Sequence, residues 1–186
     1  GISVDPNNAN HVVITCGSYG PMANGKVRES WDALSEDPTF TNIWTMPSPL
    51  NKKPIYDVVI NSQDASGSSI VVGCEYGIFV TDNGGDDWVI ANAGMHSAGT
   101  IDALGAPVFD LKQQWRGETN WSNPSNTGAI YAGTHGRGIF RSDDYLGAEE
   151  IVDNSNDAIE TLLVYPNPVD EGSVSISTAG FFGSIS

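Results

Sequence analysis

The sequence is poor in the residues from which metal and redox centres are usually built. Two cysteines and three histidines occur among 186 residues. His11, His96 and His135 share no metal-ligand spacing, so no metal centre is expected. Neither Cys16 nor Cys74 has the histidine or carboxylate context of a nucleophile. Each adjoins the glycine of an equivalent strand, as Cys16-Gly17 and Gly73-Cys74. A disulfide in an oxidising compartment and a pair of buried apolar thiols are both open readings. Basic residues are scarce too: 8 Lys and Arg stand against 23 Asp and Glu, a net charge of −15. Such a surface repels phosphate backbones and anionic headgroups, which argues against nucleic acid as a partner. A solubility role explains the acidity most simply. A structural calcium ion is the one cofactor left open, although no Asp/Asn-rich loop has a full calcium-ligand spacing. No run is long and apolar enough for a transmembrane helix, so direct membrane insertion is not expected. No signal peptide is visible. The chain opens at Gly1-Ile2-Ser3-Val4, without Met, and stops at Phe181-Phe182-Gly183-Ser184-Ile185-Ser186, both inside strand patterns. It reads as a segment of something larger.

Glycine and proline are plentiful, at 21 and 10 residues, and lie between short β-branched and aromatic runs. No segment carries a sustained helical period. The reading is therefore all-β, with many strands and tight turns. One stretch runs Pro54-Ile55-Tyr56-Asp57, Gly73, Gly77-Ile78-Phe79, Thr81-Asp82. Another runs Pro107-Val108-Phe109-Asp110, Gly133, Gly138-Ile139-Phe140, Ser142-Asp143. A strand-turn-strand unit that returns after roughly 50 to 60 residues marks small sheets stacked side by side. In the first unit, strands are expected over residues 2–4, 11–15, 27–30 and 40–44, with a turn between the first two closed by Asn and Asp side chains. Pro47-Ser48-Pro49 breaks the pattern between units. The second unit places strands at 55–60, 70–73, 77–80 and 88–90, which is the size of one propeller blade. Its 70–73 strand reads as buried on both faces. The third repeats this plan around a long insertion, Gln113 to Thr127, with last strands at 129–132 and 138–141. Asp144 to Thr161, acidic and rich in Asn and Ser, reads as a linker.

The turn Thr81-Asp82-Asn83-Gly84-Gly85-Asp86-Asp87-Trp88 has a local logic. Asn83 and Asp87 can bond backbone amides within it, and Gly84 and Gly85 supply positive φ at little steric cost. Trp88 is expected to start the outer strand and bury its indole between neighbouring sheets. The stretch resembles the Asp-box, or BNR repeat, whose usual form is Ser/Thr-x-Asp-x-Gly-x-Thr-Trp. It occurs in sialidase-like, sortilin-like and xyloglucanase-like β-propellers. Asn83 stands at the usual Asp position and Asp87 at the usual Thr. Ser142-Asp143-Asp144-Tyr145 resembles a decayed second copy, and Glu29-Ser30-Trp31-Asp32 a weaker one. The resemblance spans residues 1–145 and implies the last two to three blades of a partial β-propeller, each a four-stranded antiparallel sheet. In these families the box is structural and lies away from the usual active face. Thr81, Asn83, Gly84, Gly85, Asp87 and Trp88 are thus expected as scaffold, with no catalytic residue among them.

Behind the acidic linker at 146–161, residues 162–186 contain Leu163-Val164-Tyr165-Pro166-Asn167-Pro168 and then an alternating stretch, Val174-Ser175-Ile176-Ser177. Two prolines around Asn167 stiffen the approach to a first strand. The pattern resembles the C-terminal sorting domain of the type IX secretion system of Bacteroidota, a small Ig-like β-sandwich that directs cargo across the outer membrane. The resemblance implies that 162–186 is the start of such a domain, incomplete here, with Tyr165, Pro166, Asn167 and Pro168 as its sorting motif. It further implies translocon and shuttle components as partners and a secreted or outer-membrane surface location.

Candidate ligand contacts are few. His135 and Arg137 sit in the glycine-rich stretch Gly133 to Gly138, where backbone can approach a ligand and an anion could be held. Trp115 and Trp121 in the insertion could stack on a sugar. The structural alternatives are an Arg137 paired to a neighbouring carboxylate and tryptophans that cover a sheet edge. A sialidase needs several converging arginines and a tyrosine nucleophile, and the arginines are Arg28, Arg116, Arg137 and Arg141. The opposed carboxylates of a glycosidase cannot be singled out among 23 acids. The expectation is a non-catalytic recognition, adhesion or assembly protein with a glycan or surface-protein ligand. The alternatives are a glycoside hydrolase whose catalytic residues lie mostly outside this segment, and a cargo bound to the secretion translocon.

Overall fold

A computed structural model describes residues 1–95, 105–117 and 126–143. They form an all-β structure of three antiparallel sheets. The first holds β1 (Ile2–Asp5), β2 (Asn8–Thr15), β3 (Val27–Ser30) and β4 (Thr41–Asn42), paired in chain order. The second repeats that plan with β5 (Ile55–Ile60), β6 (Ile70–Cys74), β7 (Gly77–Thr81) and β8 (Val89–Ile90). The third pairs β9 (Val108–Gln113), β10 (Ile130–Thr134) and β11 (Gly138–Ser142), three strands among the described residues. A short 3-10 turn at Leu50–Lys52 follows the cis Ser48–Pro49 bond, where the sequence breaks between units. The fourth strand of each full sheet is shorter than expected. β4 keeps only Thr41–Asn42 of the 40–44 stretch because Ile43 and Trp44 turn into the core. β8 begins at Val89, so Trp88 precedes the strand and closes the turn instead of opening the strand. The sorting motif, the linker and the expected sandwich lie outside the described residues.

Packing explains the repeat. β6 is buried at every position, and consecutive residues feed different cores. Ile70, Val72 and Cys74 join Val13, Val27, Ile43, Trp44 and Trp88 between the first and second sheets. Val71 joins Val80, Val108, Leu111 and Phe140 between the second and third. Period-two alternation thus gives a sheet covered on both faces, and the strand reads as continuous hydrophobicity.

The first strands of the three sheets lie beside one another and are tied by side chains. Ile60 N donates to Ser3 Oγ at 3.1 Å, and Leu111 N donates to Asp57 Oδ2 at 2.9 Å. Gln113 accepts from Ser62 N and donates to Asn61 Oδ1, both at 2.8 Å. Sheets side by side, with first strands innermost, are consistent with part of a β-propeller. Gly73 tests this packing. A Cβ there would lie 2.7 Å from Val108 Cγ1 and 3.0 Å from its carbonyl oxygen. At the repeat-equivalent Gly133 the nearest atom would be 3.6 Å away. Gly73→Ala is expected to cost about 1–3 kcal/mol in urea melts through overpacking. Gly133→Ala should be neutral or gain up to about 1 kcal/mol. Equal effects would remove the reading that β9 rests on β6 at Gly73.

Candidate functional site

The turn before Trp88 is built from hydrogen bonds to the side chains of Thr81 and Asn83. Thr81 Oγ1 donates to Asn83 Oδ1 at 2.8 Å and accepts the amides of Asn83 and Gly85, at 3.3 and 2.9 Å. Asn83 Oδ1 accepts the Asp87 amide at 3.0 Å. Asp87 does not bond a backbone amide as the sequence reading expected: its carboxylate accepts the Asn83 side-chain amide at 3.3 Å. Gly84 and Gly85 take φ of 71° and 95°. The turn then docks on the first sheet. Trp88 Nε1 donates to Ile43 O at 2.8 Å, and Thr45 Oγ1 donates to Gly85 O at 3.3 Å.

The first sheet contains the same construction at Glu29-Ser30-Trp31-Asp32. Ser30 Oγ donates to Asp32 Oδ1 at 2.8 Å and accepts the Asp32 amide at 3.3 Å. Asp32 Oδ1 accepts the Thr39 amide at 2.9 Å. Ser30, Asp32 and Thr39 therefore do what Thr81, Asn83 and Asp87 do, and Phe40 follows as Trp88 does. The sequence showed this equivalence only as a weak copy because the loop is three residues longer between its polar partners, seven apart against four. Hydrogen bonds from Ser30 and Thr39 hold the Asp32 carboxyl below its usual range.

The candidate ligand residues separate. His135 lies in the turn between β10 and β11, its ring 5.6 Å from that of Phe109, and its amide donates to Pro107 O at 2.8 Å. Arg137 Nη1 donates to Met95 O at 3.0 Å. Trp115 follows β9 at the opposite end of that sheet, since Gln113 pairs with Ile130 whereas Val108 pairs with Thr134. One ligand loop containing both groups is therefore not what the fold provides. Trp121 and His96 lie outside the described residues. Trp115 is exposed, has the Arg116 guanidinium over its ring, and borders a cleft of about 520 Å³ running along β1, β5 and β9. Asp57, Lys112 and Gln113 also line it. Lys112 Nζ lies 3.3 Å from Asp57 and 2.6 Å from Asp110.

Around the turn that joins β6 to β7, aromatic rings from three sheets meet. Glu75 Oε2 accepts both phenols, Tyr56 at 2.5 Å and Tyr19 at 3.1 Å. Burial and Glu75 push the Tyr56 phenol far above its ordinary value. Tyr56 packs edge-on against Phe109, and Lys53 sits 5.0 Å from the Tyr76 ring. Cys16 and Cys74 are free thiols, with Ile55 between them: its amide donates to Cys16 O, and it pairs with Cys74 across β5 and β6. Burial pushes the Cys74 thiol up to about 11, which makes it an unreactive core side chain.

One cluster was not anticipated. His11 is completely buried between two carboxylates, with Nδ1 3.0 Å from Asp5 Oδ2 and Nε2 2.9 Å from Glu29 Oε1. Trp31 stacks on its ring at 3.7 Å with 2° between the planes. The sequence signal was a histidine opening the apolar run Val12-Val13-Ile14, where burial would require partners.

Among the described residues no group of His, Cys, Asp and Glu side chains is arranged to hold a metal ion, and no helix is long and apolar enough to cross a membrane. The chain matches no protein-family model and no curated protein. Among solved structures it is similar to the GH74 xyloglucanase from Xanthomonas campestris, with 15% sequence identity and a TM-score of 0.44. The likeness covers 77% of this chain and 22% of that one, so the chain spans under a quarter of the enzyme's length. Identity this low assigns neither family nor activity.

Proposed function

We propose that this chain belongs to an exported, surface-displayed or secreted β-propeller protein whose role is recognition, adhesion or assembly. Its C-terminal stretch around Tyr165, Pro166, Asn167 and Pro168 acts as a type IX sorting signal. The observation that carries the reading is the duplicated polar turn, Ser30-Asp32-Thr39 and Thr81-Asn83-Asp87, the second of which docks its sheet on the first. Rigid stacked sheets of this kind hold loops in fixed positions, which suits binding. The ligand side is the end carrying Tyr19, Tyr56, Phe109 and His135, away from the polar turns. A glycan or a surface protein is the class of ligand. A second reading, glycoside hydrolysis, draws on the cleft that Trp115 and Asp57 both line.

Export is tested by deleting residues 163–186 in a host that has a type IX translocon. The truncated protein is expected to fold and stay inside the cell, with its surface level falling to background by fractionation. Normal surface delivery would refute the sorting role. Binding is separated from hydrolysis by incubating the full-length protein with a glycan panel. Retention of a glycan without release of reducing ends supports recognition, and turnover supports the hydrolase.

A further inference from the structure

We infer that Asp5, His11 and Glu29 form a pH-operated latch that ties the 61–69 loop of the second sheet to the first, closed while the imidazolium carries both protons and opened when one leaves. Geometry demands the charged ring. Each ring nitrogen faces a carboxylate oxygen, at 3.0 and 2.9 Å. A neutral imidazole has a single N–H, so its other nitrogen would present a lone pair to a carboxylate. With the ring fully buried, no water relieves that repulsion. The Trp31 face adds cation–π stabilisation to the charged form alone.

The latch spans the two sheets because the loop seals it. A Cβ on Gly67 would lie 2.8 Å from both Asp5 Oδ2 and His11 Nδ1, so the backbone at Gly67 lies directly over the ion pair. Asn7 Nδ2 donates to Ser62 O at 3.2 Å, a second tie from the same turn to the same loop. The titratable groups that face the ring from the packed elements are all acidic, because Arg28, the basic residue of β3, alternates to the opposite face of the sheet from Glu29. Asp5 comes from β1, Glu29 from β3, Asp32 follows Trp31, and Asp64 is the one titratable residue of the loop. Asp64 is held ionised by the Ser66 hydroxyl and the amides of Ser66, Ser68 and Ser69, which outweigh its burial. Loss of the His11 proton therefore leaves uncompensated negative charge inside, and water enters between the loop and the Trp31 ring.

The direction of the pH response follows. Burial pulls the His11 pKa down, but the hydrogen bonds and charges of Glu29 and Asp5 together lift it above its ordinary value. A raised folded-state pKa gives stabilisation that is complete below the unfolded value, about 6.5, and is lost as pH climbs through the folded value. The fold should hence loosen at this point on the alkaline side, not the acid side.

Hydrogen exchange on the whole chain between pH 6 and 10, alongside an NMR titration of the His11 ring, tests the latch. Protection at residues 61–69 and at Trp31, corrected for intrinsic exchange, is expected to fall by about tenfold or more, the equivalent of one pKa unit. Its midpoint should coincide with His11 titration, while β6 stays protected. His11→Gln should show low protection already at pH 6, with a change under about twofold across the range. Constant protection in the native chain as His11 titrates would overturn the proposal, and so would a His11→Gln profile matching the native one. If His11→Gln does not fold, the native titration decides alone.

Discussion

Trp88→Ala is expected to lower stability by about 3–5 kcal/mol, the usual cost of emptying a large aromatic site in a core. Trp88 is 8% exposed and packs edge-on against Trp44 at 5.0 Å, which in turn meets Phe79 at 5.6 Å. Those three rings come from both sheets, so the cavity would open at their shared core. The substitution also strips Ile43 O of the indole N–H at 2.8 Å. Trp88→Phe separates the two losses. It keeps much of the ring volume and removes the donor, and should cost about 1–3 kcal/mol, the penalty for leaving one buried acceptor unmatched. Urea melts followed by circular dichroism measure both. A shift within experimental error for Trp88→Ala would mean that the first two sheets do not share a core.

Strands and repeat were legible because they depend on period and punctuation. β5 was expected over 55–60 and is Ile55–Ile60, and β6 was expected over 70–73 and extends one residue to Cys74. Their signal is local: alternation, β-branching and flanking turn residues. What the sequence did not reveal depends on partners brought together by folding. His11 meets Glu29 from 18 residues away and Asp5 from six, and the apolar run after it hints at burial without naming either partner. Trp115 and His135 were both candidate ligand contacts, but antiparallel pairing puts them at opposite ends of one sheet. The Ser30 turn was only faintly visible because its closing partner, Thr39, lies across an insertion that shifts the motif's spacing. Side-chain hydrogen bonds tolerate such insertions, whereas a fixed sequence spacing does not.

Gly84 and Gly85 offer the second large effect and its own internal control. Both have positive φ, 71° and 95°, so alanine at either position pays the left-handed penalty of about 1–2 kcal/mol. Their surroundings differ. A Cβ on Gly84 meets nothing within 4 Å, whereas one on Gly85 would lie 2.6 Å from Ile43 O and 2.7 Å from Ile43 Cβ. Backbone at that distance cannot swing aside as a side-chain tip can. Ile43 is also fixed by the indole of Trp88 and by its own amide bond to Val27 O at 3.0 Å. Gly85→Ala must therefore lift the turn from the first sheet, adding an overpacking cost of about 1–3 kcal/mol to the conformational one. The expected order in urea melts is Gly84→Ala mild and Gly85→Ala at least about 1 kcal/mol worse. The difference between the two, not either value alone, measures the docking. If both cost the same, the polar turn only reverses the chain. If Gly85→Ala costs more, the turn also fastens the second sheet to the first, through the same Ile43 that accepts the Trp88 indole.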